Sequence, residues 1–427
     1  MILRARISRI VSHAMTSPSR RARRRRKARR RRLSGGRKPQ ILYFHQADDP
    51  YSHVAVQCLA RLRERYAVDL QCHLVPVPAG SAVPERARLA AYALRDAARL
   101  AARLGLDFPA AARLPDPAQV AHANFALAAA LAGNDFGREA GRIGDTLWRG
   151  TAPREPVDPE RAHAAQSAGA ALRDRLGHYL GAMFYFEGEW YWGADRLHYL
   201  ETRLREEGLA KSHEPITRFQ DIALAGPATT AGTTIDFWFS FRSPYSYLAA
   251  ARVHRLAHHY GATLRWRFIL PMVMRGLPVP RIKRRYIMLD TKREAESLGM
   301  AFGTVVDPVG RGVERALAVL HRAIALGRGA AFVESALQAA FADGIDLASD
   351  GGLEKAATRA GLRRDDVAAA LADESWRAMA EDNRRALFDA GLWGAPTFRV
   401  NTLAAHWGQD RLWALEEDLI AESAPLR

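Results

Sequence analysis

Two stretches of this chain pass through the same succession of hydrophobic patterns. Residues 41–44 and 235–239 are apolar runs of strand length, and each gives way to Pro-Tyr-Ser followed by apolar positions at three- and four-residue spacing. Both then return to a short apolar run, so each reads as strand, turn, helix, strand. Aligned without gaps at an offset of 194, residues 41–76 and 235–270 share nine identical positions. Further on, Gly181-Ala182-Met183 pairs with Gly394-Ala395-Pro396, and Trp192-Gly193-Ala194-Asp195-Arg196-Leu197 with Trp407-Gly408-Gln409-Asp410-Arg411-Leu412. The repeat predicts two tandem copies of one α/β fold.

Between the front and back of each copy lie Ala/Leu/Arg-rich segments with helical periodicity, near 85–105 and 118–148 in the first and near 283–299, 311–342 and 352–391 in the second. They predict a helical subdomain inserted into each strand-helix-strand frame. Periodicity fades over 205–234, which ends in small residues and reads as a linker. The expected domains are a tail over 1–38, a first copy over 39–210, a linker over 211–232 and a second copy over 233–427.

Composition supports two soluble globular domains: 48% of residues are apolar and 26% charged across 427 residues. No apolar run approaches the roughly 20 residues needed to span a bilayer, so no membrane span is expected. The net charge of +17 suggests a polyanion partner until it is located along the chain. Residues 1–38 hold sixteen Lys or Arg and no acidic residue, which leaves residues 39–427 at +1. Such a single-sign block is expected to be disordered, and any nucleic-acid contact is expected through it alone. The two cysteines, Cys58 and Cys72, form no Cys-x-x-Cys pair, so a dithiol couple is unsupported and a cytoplasmic setting is expected. No metal-ligand pattern stands out: His254 and His258 have helical spacing but no third ligand beside them.

The chemistry concentrates at Ser243-Pro244-Tyr245-Ser246, the turn between the 235–239 strand and its helix. A thioredoxin-type oxidoreductase carries its two cysteines at such a turn, and here both positions are serine. The positive end of a helix remains available to stabilise an anion, and Ser243 is equally suited to cap that helix. This turn, the helical insertion, Gly394-Ala395-Pro396-Thr397-Phe398 and Trp407-Gly408-Gln409-Asp410-Arg411-Leu412, in that order, resemble the DsbA-like thioredoxin superfamily. Within it, the pattern over 235–420 is similar to 2-hydroxychromene-2-carboxylate isomerases and kappa-class glutathione transferases; residues 41–204 share the layout more weakly.

The resemblance implies glutathione as cofactor. It places Ser243 against the glutathione sulfur, with Pro244 and Tyr245 at the helix start. It makes Pro396 a cis-proline that exposes the Ala395 backbone to a bound peptide, and assigns Gln409 and Asp410 to the γ-glutamyl end. Lys283, three residues before Tyr286, has the spacing of a glutathione-contacting lysine, whereas Met274 stands where kappa-class proteins have a glutathione-binding asparagine. In the first copy, Asp49 replaces the serine and Met183 the proline. A carboxylate there would repel a thiolate, so this copy is expected to be a degenerate partner, with an independent Asp49 chemistry as the alternative, and the molecule a pseudo-dimer of its two halves for which a monomer is one reading. The expected activity is glutathione-dependent isomerisation of a conjugated, aromatic carboxylate. The alternatives are a kappa-class-like transferase acting on a small electrophile, and a non-catalytic thioredoxin-fold binding protein.

Overall fold

The computed structural model describes residues 2–133, 135–225 and 232–423. The chain divides into two compact units. One contains Arg21–Phe219 and Pro280–Lys283; the other takes the residues up to Arg20, Gln220–Val279 and Arg284–Arg427. Residues 226–231 of the expected linker lie outside the described residues.

The basic N-terminus departs from the expectation of disorder, because it forms helices α1 (Ile2–Thr16) and α2 (Pro18–Ser34). Within the C-terminal unit, Ser8 Oγ and Arg9 Nε donate to the carbonyls of Val305 and Gly344 at 2.9 and 2.6 Å, and Ser12 Oγ accepts from the Val305 N–H at 2.9 Å. Within the N-terminal unit, Arg25 holds Glu189 through two bonds of 2.8 Å, and Arg32 reaches Glu187 at 2.6 Å. The physical reason is that charges pair in space. Glu187, Glu189, Glu206 and Glu207 neutralise arginines that have no acidic partner within their own segment.

The N-terminal unit runs β1 (Gln40–His45), α3 (Pro50–Val56), α4 (Leu59–Arg65), β2 (Asp69–Leu74), α5 (Arg86–Leu104), α6 (Pro117–Ala130), α7 (Phe136–Arg149), α8 (Glu160–Leu176), β3 (Met183–Phe186), β4 (Glu189–Trp192) and α9 (Leu197–Glu206). The C-terminal unit runs β5 (Thr234–Phe239), α10 (Pro244–Tyr260), β6 (Thr263–Phe268), most of α11 (Arg281–Ser297), α12 (Arg311–Ala325), α13 (Gly329–Phe341), α14 (Asp350–Arg359), α15 (Arg364–Ala372), α16 (Trp376–Asp389), β7 (Thr397–Val400), β8 (His406–Trp407) and α17 (Leu412–Ser423). Each contains one four-stranded sheet, in the orders β2-β1-β3-β4 and β6-β5-β7-β8. In each the first pair is parallel and the others antiparallel, which is the arrangement a strand-helix-strand crossover followed by a hairpin produces.

The registers correspond as well: Ile41 pairs with Leu70, and Ile235 with Leu264, an offset of 194 in both strands. The same offset continues past the aligned segment, relating Tyr92, Asp96, Gly105 and Phe108 to Tyr286, Asp290, Gly299 and Phe302. Gly105 and Gly299 both follow their helix in the left-handed region, at φ of 64° and 66°, where a residue with a side chain is disfavoured. Beyond this point the units diverge. Between the common helix and the hairpin the first inserts α6–α8, and the second inserts α12–α16.

In the C-terminal unit Ile235, Phe237 and Phe239 of β5 are fully buried with Leu248, Val253 and Leu256 of α10, and Phe237 stacks on Phe398 at 5.0 Å. On β5 the fully buried Asp236 accepts bonds from Arg265, Arg267 and Arg399 at 2.8, 2.8 and 3.0 Å. Burial alone would raise its pKa; these three guanidinium groups hold it below the ordinary value. The first sheet has Leu42 at this position, facing Gln71 and Tyr185 in register, so the two sheets solve the same packing with different chemistry.

Candidate functional site

Helix α10 begins where β5 ends. Pro244 occupies its first turn, pre-set for helical φ, and Ser243 is the N-cap with extended backbone at φ −93° and ψ 113°. The Ser243 hydroxyl accepts from the Ser246 N–H at 3.1 Å and donates to the Ala395 carbonyl at 3.2 Å. The Ala395–Pro396 peptide is cis. Ser243 and Ala395, 152 positions apart, therefore meet through one hydroxyl that both caps a helix and touches the facing loop.

That loop is fixed from behind. Trp393 and Trp407 pack at a ring separation of 4.8 Å, and a Cβ on Gly394 would fall 2.5 Å from the Trp407 ring, so only glycine permits the approach. Thr397 Oγ1 donates to the Gly394 carbonyl at 2.9 Å, and the Gly408 N–H donates to the Pro396 carbonyl at 3.0 Å. Tyr245, next in the turn, sends its hydroxyl to the buried Asp290 on α11 at 2.8 Å.

The remaining expected residues are placed differently. Gln409 is 1% exposed; its Oε1 accepts from Arg252 at 2.6 Å and its Nε2 donates to Glu294, so its side-chain amide is committed within the fold. Asp410 lies in the short turn Gln409–Arg411 that opens α17, partly exposed, with a carboxylate oxygen 3.6 Å from Arg411. The Lys283 ammonium donates to the Ala82 carbonyl at 2.9 Å, and burial lowers its pKa. Met274 packs against the apolar core. Two neighbours escaped sequence reasoning. Arg242, one residue before Ser243, grips Asp307 through two bonds of 2.8 Å, and Arg275, one residue after Met274, donates to the Trp393 carbonyl at 2.9 Å. Both partners lie far along the chain, and only the basic side chain itself could have signalled them.

The N-terminal unit uses its turn otherwise. Asp49 caps α3, its carboxylate accepting from the N–H groups of Tyr51 and Ser52 at 3.2 Å each and from Ser52 Oγ at 2.8 Å. Ser52 Oγ in turn accepts from the Ala182 N–H at 2.9 Å. Burial pushes the Asp49 pKa up to about 6, the hydrogen bonds from Ser52 and Tyr51 only partly opposing it. One contact is common to both units: Tyr51 donates to Asp96 at 2.7 Å, as Tyr245 does to Asp290. Among the described residues no group of three His, Cys, Asp or Glu is placed to hold a metal ion, and no helix is long and apolar enough to cross a membrane.

Residues 234–420 match the model of the DSBA-like thioredoxin domain. Together with the relatives below, this places the chain in the DSBA-like thioredoxin family, by way of its C-terminal half. Over 194 residues it is 30% identical to a 2-hydroxychromene-2-carboxylate isomerase from a Pseudomonas species, covering 88% of that protein and 43% of this chain. Over 192 residues it is 29% identical to the Pseudomonas putida protein of the same name, covering 92% of it and 43% of this chain. A solved 2-hydroxychromene-2-carboxylate isomerase aligns at 26% identity over 43% of this chain and 93% of its own, with a TM-score of 0.38.

Proposed function

We propose that this protein is a glutathione-dependent isomerase of conjugated aromatic carboxylates, with its chemistry in the C-terminal half. The observation that carries the proposal is the Ser243 hydroxyl, held at the N-terminus of α10 and 3.2 Å from the Ala395 carbonyl, in the half homologous to named isomerases. The residues fit the sulfur end of glutathione. A serine hydroxyl can turn from a carbonyl to donate to a thiolate, and the helix end favours the anion. The peptide end fits less completely, because the Gln409 amide is engaged by Arg252 and Glu294 and the Lys283 ammonium by Ala82. Asp410, in the turn that opens α17, is the carboxylate for an ammonium group in this reading.

When bound, glutathione would supply a nucleophilic sulfur whose reversible addition to an enone lets a double bond rotate. The chain's own part is narrower. Ser243 and the first turn of α10 lower the sulfur's proton affinity, while Ala395 and Pro396 orient the bound peptide. The N-terminal half serves as a degenerate copy. Its common strand order, its offset of 194 through Phe108 and Phe302 and the repeated Tyr–Asp contact support duplication.

The test is calorimetric titration of the full-length protein with glutathione, followed by incubation with an aryl enone carboxylate while free thiol is counted. Saturable binding and geometric isomerisation without net thiol loss are expected. Stoichiometric thiol loss would make it a transferase, and no binding would remove glutathione from the account.

A further inference from the structure

The 3-10 turn Met272–Arg275 follows β6, and its last residue carries a cation that forms no ion pair among the described residues. Arg275 donates through Nη2 to the Trp393 carbonyl at 2.9 Å, and its Nε is shut off from solvent with no hydrogen-bond partner. Its electrostatic surroundings on α16 are unfavourable. Glu381 is the nearby carboxylate, and it is already held by Arg384 through bonds of 2.7 and 2.6 Å and approached by Arg385 at 3.3 Å. Burial first, and repulsion from Arg384 second, bring the Arg275 pKa down to about 10, with Glu381 only partly offsetting them. A partly desolvated guanidinium whose nearby carboxylate is shared with two other arginines is incompletely compensated and costly to the fold. An arriving anion would remove that cost.

Position says which anion. Trp393 is two residues before Ala395, whose carbonyl faces the Ser243 hydroxyl, and two residues span at most about 7 Å. The guanidinium is thus fixed on the loop that forms one wall of the proposed sulfur site. With Nε enclosed and one Nη2 hydrogen on Trp393, the Nη1/Nη2 end of its planar fork suits a carboxylate in two-point contact. Resting on the functional reading above, we propose that Arg275 is the anchor for the carboxylate of the substrate, holding the acid group so that the conjugated carbon meets the sulfur beside Ser243. The Met274 thioether offers no polar contact in this segment, which leaves Arg275 as its recognition group.

The test uses the full-length protein and two probes that differ in the acid alone: benzylidenepyruvate, an aryl enone with a carboxylate, and benzylideneacetone, the same skeleton without it. In wild type the carboxylate probe should bind more tightly. Arg275→Met should weaken it by about 30-fold while changing the neutral probe and glutathione less than twofold, and Arg275→Lys should recover part of the loss. The thermal midpoint of ligand-free Arg275→Met should equal or exceed that of wild type, because an incompletely compensated charge has been removed. Equal weakening of both probes, or a clear fall in the midpoint, would make Arg275 a structural residue and overturn the proposal. Selective loss of glutathione affinity would assign the guanidinium to the cofactor and equally overturn it. Failure of wild type to bind glutathione would instead strike the functional reading itself.

Discussion

The turn at Asp49 closes on its own helix, whereas the turn at Ser243 reaches across to the facing loop. Asp49 accepts three hydrogen bonds, all from Tyr51 and Ser52, and contact with the opposite loop passes to Ser52, which accepts from the Ala182 N–H. Ser243 accepts one bond and donates another, to the Ala395 carbonyl. A carboxylate has only acceptors to offer when ionised, and a hydroxyl has a proton to give. The same strand order and the same kind of turn therefore carry two different hydrogen-bonding patterns at the cap, set by a single side chain. Arg242 before Ser243 and Asp48 before Asp49 add a difference in the sign of charge one residue earlier.

The largest expected effect comes from making the second turn like the first. Ser243→Asp should weaken glutathione binding by about 100-fold or more, since like charges placed together cost several kcal/mol. Calorimetric titration of the full-length variant measures this. Retained affinity would show that the cap position does not face the sulfur.

Next comes the cost of the carboxylate in the first turn. Its pKa is raised from an ordinary 3.8 to about 6, so folding favours the protonated acid. That contribution is fully present below about pH 4, and it is lost as pH rises through 6. Asp49→Asn removes the titration. It should raise stability at pH 7.5 by about 2 kcal/mol, discounted for the partial exposure of the group, and change little at pH 4. Thermal midpoints at the two pH values check this, and a gain at pH 4 equal to that at pH 7.5 would contradict it.

Much of the frame was legible in the sequence. Apolar runs of strand length, a Pro-Tyr-Ser punctuation and helical periodicity are local signals, and they recur at a fixed offset that the observed registers keep. Legibility failed wherever an interaction joins residues that no local pattern links. Arg25 and Glu189 are 164 positions apart, Gln409 and Glu294 are 115 apart, and Lys283 and Ala82 are 201 apart. A segment read as an unpaired basic block thus acquires partners, and two side chains read as ligand contacts prove to be engaged elsewhere in the fold. The Tyr–Asp contact was hidden for the same reason, although its two instances repeat at the same offset.

The smallest expected effect follows from that engagement. Lys283→Met should leave glutathione affinity within about twofold, because the ammonium is occupied by the Ala82 carbonyl. A tenfold loss in the same titration would restore it to the site.

The central claim is that Ser243 acts on the sulfur and Asp49 does not. The absorbance of the glutathione thiolate near about 240 nm, followed against pH in complexes of wild type, Ser243→Ala and Asp49→Ala, tests it most directly. Ser243→Ala should move the bound thiol's pKa upward while costing stability only about 0.5–2 kcal/mol for the lost cap, and Asp49→Ala should leave the titration where it is in wild type. An unchanged curve in Ser243→Ala, or a shifted one in Asp49→Ala, would contradict the assignment of the chemistry to the C-terminal half.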